Sequence, residues 1–298
     1  MSETEFRSGF VALAGRPNVG KSTLLNALVG QKISIVTPRP QTTRHRLIGL
    51  LQLPRAQIAF VDTPGLHLGQ RRALNRAMNR TAAAALGDAD IVLLLLEALR
   101  WTEEDELALA RVRDSGRAAI AVVNKIDRVR PRERLLPYLK ELAERHEFRA
   151  IVPISARSGS NLDDLRRVIV ETLPAGPAMF PADQVTDRTP SFRIAEIVRE
   201  KLTLELVEEL PYGIAVELEQ LETLPDGRQE VSAVIWVDRA GHKPIVIGAD
   251  GSRLKRVGRA ARLELNRLLG GRFHLTLWVK VREDWADDAR ALRQLGLE

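Results

Sequence analysis

Residues 15–23, Gly15-Arg16-Pro17-Asn18-Val19-Gly20-Lys21-Ser22-Thr23, carry the spacing G-x-x-x-x-G-K-S. Glycines at that separation let backbone N–H groups turn inward around an anion, and a helix opening at Lys21 adds its positive end. Lys21 would reach the outer phosphates of a nucleoside triphosphate, and Ser22 would offer its hydroxyl to magnesium. Asp62-Thr63-Pro64-Gly65 places a carboxylate where it would hold magnesium through water, and the Gly65 N–H where it would sense the terminal phosphate. Alone, that tetrapeptide is an ordinary turn. Asn124-Lys125-Ile126-Asp127 selects the base. The Asp127 carboxylate accepts from guanine N1–H and the exocyclic amine, whereas adenine lacks the amine and presents a lone pair. Losing such bonds costs on the order of a few kcal/mol. Asn124 and Lys125 would brace the loops, and a backbone N–H at Ser155-Ala156 would meet the guanine carbonyl oxygen. Gln41-Thr42-Thr43-Arg44 offers one more hydroxyl for magnesium, that of Thr43, with Thr42 as the alternative. The terminal phosphate would order this loop and hydrolysis would release it.

The second half holds a different signal. Ile247-Gly248-Ala249-Asp250-Gly251-Ser252-Arg253-Leu254-Lys255-Arg256 contains G-x-x-G followed by a basic helix. In a KH domain such a loop joins two helices and clamps about four nucleotides of single-stranded RNA, because glycine leaves room for phosphates. Arg253, Lys255 and Arg256 would lie beside the RNA backbone, with Lys243 a further candidate. Standing alone, G-x-x-G is a turn before a helix. Here residues 239–282 hold eleven basic and two acidic residues, after a stretch, 183–238, with five basic and thirteen acidic. A concentrated positive block is the footprint of a polyanion binder; a solvated helix face is the alternative.

These groups need elements to hold them. Short apolar runs at 10–14, 47–53, 57–61, 91–96, 118–123 and 150–154 alternate with helical patterns at 21–29, 72–86, 103–113 and 132–145. Strand–helix alternation predicts a mainly parallel sheet covered on both faces, with ligands at the C-terminal strand ends. Every nucleotide motif falls at such an end. Pro174, Pro177, Pro181 and Pro190 then punctuate a stretch without periodicity, which reads as a linker. After it, Ser191 opens a helix whose apolar positions run from Ile194 to Leu210 and stop at Pro211. Strands follow at 213–221 and 230–237, then the basic helix, a strand at 273–281 and a helical tail at 285–297.

Composition narrows the classes. The 298 residues predict two domains, and the absence of cysteine excludes disulfide scaffolds, iron–sulfur clusters and thiol catalysis. Five histidines are too few and too scattered for a His-based metal site. The acidic N-terminus leads into no secretory core, and the longest apolar run, 91–96, falls far short of the ~20 residues of a membrane span. The expectation is an intracellular soluble protein.

The order and placement of the five nucleotide signals resemble the translation-factor-like class of small GTPases. Leu66 stands where Ras-like members carry the glutamine that orients the attacking water, and the sequence assigns no catalytic base. In some members with a hydrophobic residue there, an asparagine at the place of Asn18 binds potassium; a loop-stabilising role for Asn18 is the alternative. The helix–strand–strand–helix–helix–strand order around G-x-x-G resembles a KH domain. Arg199-Glu200-Lys201-Leu202, Glu209-Leu210-Pro211-Tyr212, Leu277-Trp278-Val279-Lys280-Val281 and Trp285-Ala286-Asp287-Asp288 extend the likeness. From Gly9 to Gly296 the chain is similar to the bacterial Era family.

That resemblance implies an α/β P-loop GTPase domain at 1–173, with a six-stranded, mainly parallel sheet and helices on both faces. A proline-rich linker at 174–190 and a smaller α+β KH domain at 191–298, with a C-terminal helix, would follow. It further implies magnesium-dependent GTP hydrolysis with slow intrinsic turnover, and binding of GTP, GDP and the 3′ region of small-subunit ribosomal RNA. The protein would act in assembly of the small ribosomal subunit, as a cytoplasmic monomer with peripheral membrane contact. Three readings compete: an ATP-using P-loop enzyme, a nucleotide-regulated RNA scaffold without turnover, and a tRNA-modification or tandem-domain ribosomal GTPase. Asn-Lys-Ile-Asp opposes the first, and a single GTPase domain followed by G-x-x-G opposes the third.

The base motif makes a sharp prediction. In Asp127→Asn the amide donates where guanine also donates, whereas xanthine offers a carbonyl there. Preference should shift from GTP toward xanthosine triphosphate in competition binding, and unchanged GTP affinity would remove Asp127 from base selection.

Overall fold

The computed structural model describes residues 5–65, 73–206 and 210–297. The chain forms two compact units. In the first, β1 (Arg7–Ala14), α1 (Lys21–Val29), β2 (Leu47–Leu53), β3 (Ala56–Asp62), α2 (Ala73–Gly87) and β4 (Ile91–Glu97) are followed by α3 (Glu103–Ser115), β5 (Ala118–Asn124), α4 (Leu135–Arg145), β6 (Ala150–Pro153) and α5 (Leu162–Thr172). The strands make a six-stranded sheet in the order β2-β3-β1-β4-β5-β6, parallel except for the antiparallel pair of β2 with β3.

Alternation within β1 shows how both faces are covered. Val11 and Leu13 pack with Leu24, Leu25 and Leu28 of α1 and Leu165 and Ile169 of α5. Ala12 and Ala14 pack on the other side with Ala82 and Leu86 of α2, Leu109 and Val112 of α3 and Leu142 of α4. Central strands buried on both faces must be apolar throughout, which is why β4 reads Ile-Val-Leu-Leu-Leu-Leu before Glu97. Helix ends are written locally. Thr102 and Asp105 form a capping box for α3, which stops at Gly116 in the left-handed region. By contrast α1 starts at Gly20 with no side-chain cap and no acid in its first turn.

Two features of this unit depart from the sequence expectation. The helix α5 has an amphipathic pattern that the alternation argument passed over. The proline-rich stretch is also no free tether as far as Asp187. Ser8 N donates to Pro174 O (3.3 Å), Gly176 N to Phe6 O (3.0 Å) and Leu50 N to Val185 O (2.9 Å). The buried Gln57 side chain accepts from Met179 N (2.6 Å) and Phe180 N (2.9 Å), and Phe180 meets Phe10 edge-on. Ile48 N donates to Asp187 Oδ1 at 2.8 Å. The prolines thus shape a strap along β2, the edge strand, where an uncovered ladder would invite pairing with other chains.

The second unit takes in the chain from Arg188 onward and, from the first half, Ile35–Thr42. It contains α6 (Pro190–Glu205), β7 (Ile214–Thr223), β8 (Arg228–Val237), α7 (His242–Ile247), α8 (Ser252–Leu269), β9 (Arg272–Val281) and α9 (Ala289–Gln294). The sheet order is β7-β8-β9, antiparallel then parallel. Thr189, and not the expected Ser191, caps α6, its hydroxyl accepting from Phe192 N with Pro190 in the first turn. Ile194, Val198 and Leu202 of α6 and Val257, Ala261 and Leu265 of α8 share one core with Val231, Ile235 and Val237. Val36 N donates to Glu200 Oε1 at 3.0 Å, and Arg199 donates to Thr42 O. The apolar period through Leu210 does not make one helix: α6 ends at Glu205, Leu206 is extended, and Leu210–Gly213 is a separate turn. The tail is only partly helical, a turn at Trp285–Asp287 and the short α9.

The strap can be tested by truncation. A fragment ending at residue 173 should melt at least about 5 °C below one ending at 188, each lost hydrogen bond costing about 1 kcal/mol. Equal midpoints in thermal unfolding would show that the strap adds nothing to stability.

Candidate functional site

The C-terminal ends of β1, β3, β5 and β6 bring the nucleotide motifs together. The phosphate loop runs from β1 into α1 around the Lys21 ammonium, which donates to Gly15 O (2.8 Å) and Arg16 O (3.0 Å). Gly20 has φ +112°, and a Cβ there would collide with the Asn124 amide, so this position admits only glycine. Asn18, at φ +58°, forms the loop's other left-handed corner, between Pro17 and the buried Val19. Thr23 follows Ser22 in the first turn of α1. Burial lowers the Lys21 ammonium to about 8, a shift that Asp62 partly opposes.

Asp62 ends β3 with no exposed surface. Its Oδ2 accepts from Ser22 Oγ (2.8 Å) and Ser34 Oγ (2.9 Å), while Ser22 Oγ lies 2.8 Å from Thr43 Oγ1. Its Oδ1 is buried without a partner. Burial pushes this carboxyl up, against the pull of Lys21 and the three hydroxyls. A carboxylate with one orphaned oxygen and two hydroxyls in reach suits a hard, oxygen-seeking divalent cation. Thr43 is therefore placed with the magnesium candidates. Thr42 is not: its hydroxyl pairs with Thr37 Oγ1 and Arg39 O, both at 2.6 Å. Ser34 was not anticipated, because nothing in its neighbours marks it. Asn26 holds it there, accepting from Ile33 N (2.8 Å) and Ser34 N (2.9 Å) and donating to Ser34 O (2.7 Å). Thr63 donates to Leu13 O (3.1 Å), Pro64 follows it, and Gly65 lies against Pro17 and the Lys21 ammonium. Leu66 lies outside the described residues.

At the base end, Asn124 Nδ2 donates to Val19 O (2.9 Å) while its Oδ1 accepts from Lys125 N (2.8 Å) and Ala156 N (3.0 Å). Asp127 is exposed, and one of its oxygens accepts from the buried Ser155 hydroxyl at 2.7 Å. Ile126 N donates to Ile154 O at 3.2 Å, fixing the loop against β6. The Ser155 and Ala156 N–H groups both have protein partners, Ser160 O and Asn124 Oδ1. What this pair does visibly is orient Asp127 and Asn124. Arg16 likewise differs from a simple phosphate ligand, since its guanidinium is engaged by Glu97 and Asp105.

In the second unit, α7 and α8 flank Gly248, Ala249, Asp250 and Gly251, with Gly248, Asp250 and Gly251 at φ of +75°, +50° and +72°. A Cβ on Gly248 would press on Arg253, whereas one on Gly251 would meet only the Lys255 side chain, at an ordinary contact distance of 4.0 Å. A groove of about 430 Å³ runs between α8 and β9, lined by Gly251, Lys255, Arg259, Arg262, His274 and Leu277 among others. Positions 251, 255, 259 and 262 recur at helical spacing and so share one face. Lys255 is on that face, but Arg256 is off it, paired with Glu205 at 3.0 Å. Arg253 donates back to Ile245 O beside Ser252, and Lys243 and Ile247 lie on α7. Arg259, Arg262 and His274 were missed because only the fold shows which α8 face meets β9.

The two sites define a P-loop GTPase joined to a KH-type module. Residues 10–125 match the family model of a 50S ribosome-binding GTPase, and residues 209–286 match that of the KH domain. The chain is 50% identical to GTPase Era of Stenotrophomonas maltophilia over 299 residues, covering all of both chains. It is 46% identical to GTPase Era of Glaesserella parasuis over 296 residues, 99% of each. Two solved structures superpose with a TM-score of 0.95 at 40% identity over 98% of this chain and 99% of theirs. One is an Aquifex aeolicus Era variant bound to GDP and aluminium fluoride; the other is Era with MgGDPNP and nucleotides 1506–1542 of 16S ribosomal RNA. This chain belongs to the Era family, and it is a GTP-hydrolysing enzyme.

Lys21 gives a pH test. Only the ammonium form pairs with phosphate, and bound phosphates hold it charged, so affinity is full below about 8 and falls as pH rises through that value. Binding of GDP should weaken toward about tenfold per pH unit and take up close to one proton as pH approaches 9. Titration calorimetry in buffers of different ionisation enthalpy would show this; a flat affinity between pH 7 and 9 would contradict it.

Proposed function

We propose that this protein is a magnesium-dependent GTP switch that binds the 3′ region of small-subunit ribosomal RNA through its KH module and acts in small-subunit assembly. The observation that carries the RNA half is the groove beside Gly251, where Lys255, Arg259 and Arg262 present one positive face. The similar Era structure with 16S nucleotides 1506–1542 supports the RNA's identity. The 50S description attached to the GTPase-family model covers the first domain alone, so the full-length relatives weigh more.

In this reading the nucleotide lies across Gly15–Thr23, Thr43, Asp62–Gly65, Asn124–Asp127 and Ser155–Ala156, with Leu66 the next residue in line. Ser22 and Thr43 hydroxyls would bind magnesium directly and Asp62 through water. The ion, when bound, supplies positive charge at the outer phosphates, where the transition state gathers negative charge. Lys21 and the uncapped N–H groups of α1 hold the same phosphates from the opposite side. Potassium at Asn18, a monomeric state, a cytoplasmic location and peripheral membrane contact belong to the proposal on the strength of the family likeness. None of the described helices is long and apolar enough to cross a membrane. The functional division we propose is a GTPase domain at 1–173, the proline-rich stretch at 174–190, which packs on that domain as far as Asp187, and a KH domain at 191–298.

Gly251→Asp tests the RNA surface. A Cβ at Gly251 meets Lys255 only at ordinary contact distance, and aspartate is among the residues that best tolerate positive φ, so the strain is modest while a carboxylate enters the phosphate path. Binding of single-stranded RNA should be nearly lost. Arg259→Ala and Arg262→Ala should each lower the salt slope by about one, and Arg256→Ala, on the other face, should lower it little. Parent-like RNA binding by Gly251→Asp would return G-x-x-G to a turn before a helix.

A further inference from the structure

Glu97, the last residue of β4, belongs to none of the nucleotide motifs, yet it sits between two of them. Its Oε2 accepts from Arg16 Nη2 at 2.5 Å and pairs with Lys125 Nζ at 3.0 Å. Arg16 is the second residue of the phosphate loop and Lys125 the second of the base loop. The carboxylate is fixed from behind as well. Glu97 stands opposite Asn124 in the β4–β5 ladder, and Ala98 N donates to Asn124 O at 2.9 Å. Arg16 Nε continues to Asp105 Oδ2 at 3.2 Å, and that oxygen also accepts from Thr102 N (3.0 Å) and Thr102 Oγ1 (2.8 Å), the capping box of α3.

The chain is well shielded. The side chains of Arg16, Glu97 and Lys125 are 7%, 17% and 20% exposed, and Asp105 is wholly buried. Burial pushes the Glu97 carboxyl up, but hydrogen bonds from Lys125 and Arg16 outweigh it and hold the group below its usual range. Arg100, largely exposed, reaches the same oxygen only at 4.0 Å, so Arg16 and Lys125 are the two close, shielded cations of a joint whose removal has a definite sign. Without it the guanidinium and the ammonium become neighbouring like charges that repel, and the loops carrying them part.

The same loops are already tied once, by Asn124 Nδ2 on Val19 O. A single tie leaves a pivot; a second tie at a different point removes it. We propose that Glu97 is a positioning residue for the nucleotide: by binding Arg16 and Lys125 at once, it presets the separation between Asp127 at the base and Lys21 at the phosphates. It touches no part of the ligand. Its work is preorganisation, which lowers the ordering cost that an elongated ligand must otherwise meet on binding.

The test uses the full chain, with affinities for GTP, inosine triphosphate and inorganic tripolyphosphate measured by competition against a fluorescent GDP. Inosine triphosphate lacks the exocyclic amine that Asp127 reads, so the ratio of GTP to inosine triphosphate affinity reports the placement of Asp127. Glu97→Ala should weaken GTP about tenfold or more, lower that ratio, and weaken tripolyphosphate less than about threefold. In a chain carrying Arg16→Met and Lys125→Met, adding Glu97→Ala should change GTP affinity by less than about twofold, since the joint is already open. The proposal fails if Glu97→Ala binds GTP like the parent, if all three ligands weaken equally, or if the loss persists in full in the double-Met background. Should Glu97→Ala not fold, Glu97→Gln decides by the same ratio: a fall supports the joint, a parent value overturns it.

Discussion

The Asn124 side chain is the contact on which the nucleotide site depends. A guanine nucleotide has two recognisable ends, and in the proposed site loops that leave different strands would read them. Asn124 reaches from β5 to Val19 in the phosphate loop and also accepts from Lys125 N and Ala156 N. One planar amide thereby sets three loops in a common frame, and Gly20 must be glycine because this amide passes over it. A carbonyl and a primary amide pointing in opposite directions are what the task needs; an aspartate there would lose the donor to Val19 O.

Much of this was legible in sequence because phosphate and base recognition are local. The sequence places Gly20, Lys21, Ser22 and Asp127 in loops at strand ends, and the structure brings those loops side by side. What stayed hidden depends on tertiary approach. Ser34 reaches Asp62 only because Asn26 folds the chain after α1 back on itself. Glu97 reads as the polar end of an apolar strand, and only the β4–β5 register puts it beside Lys125. Arg256 and Arg259 look alike in sequence, yet one faces Glu205 and the other the groove. Periodicity also misled in two places. It ran α6 on toward Leu210 although the backbone turns extended at Leu206, and it left the strap residues blank because their contacts are with β1, β2 and β3.

The charge reversal along the second unit takes on a physical form in the structure. The acidic stretch includes α6, and its Glu205 pairs with Arg256, while Lys201 of the same helix pairs with Glu264 of α8. These pairs lie between α6 and the side of α8 that turns toward it. Only the Arg256–Glu205 pair joins a base of α8 to an acid of α6; the Lys201–Glu264 pair runs the other way. Lys255, Arg259 and Arg262 instead line the groove, so that face of α8 keeps a positive field that attracts phosphate.

The strap and Asn26 together explain how the Thr43 loop can respond to a phosphate without loosening the sheet. At its start, Asn26 pins Ile33 and Ser34 to α1 with three hydrogen bonds. At its end, β2 is locked against β3 from Leu47 onward, and Asp187 of the strap accepts from Ile48 N. Between these anchors lie a dozen residues without regular structure, and they carry the one hydroxyl, Thr43, that meets Ser22 over Asp62. A loop fixed at both ends has less conformational freedom to give up when a ligand orders it, so Thr43 contacts cost less than they would on a free chain. In the proposed switch, the strap beside β2 would confine any phosphate-driven change to this segment.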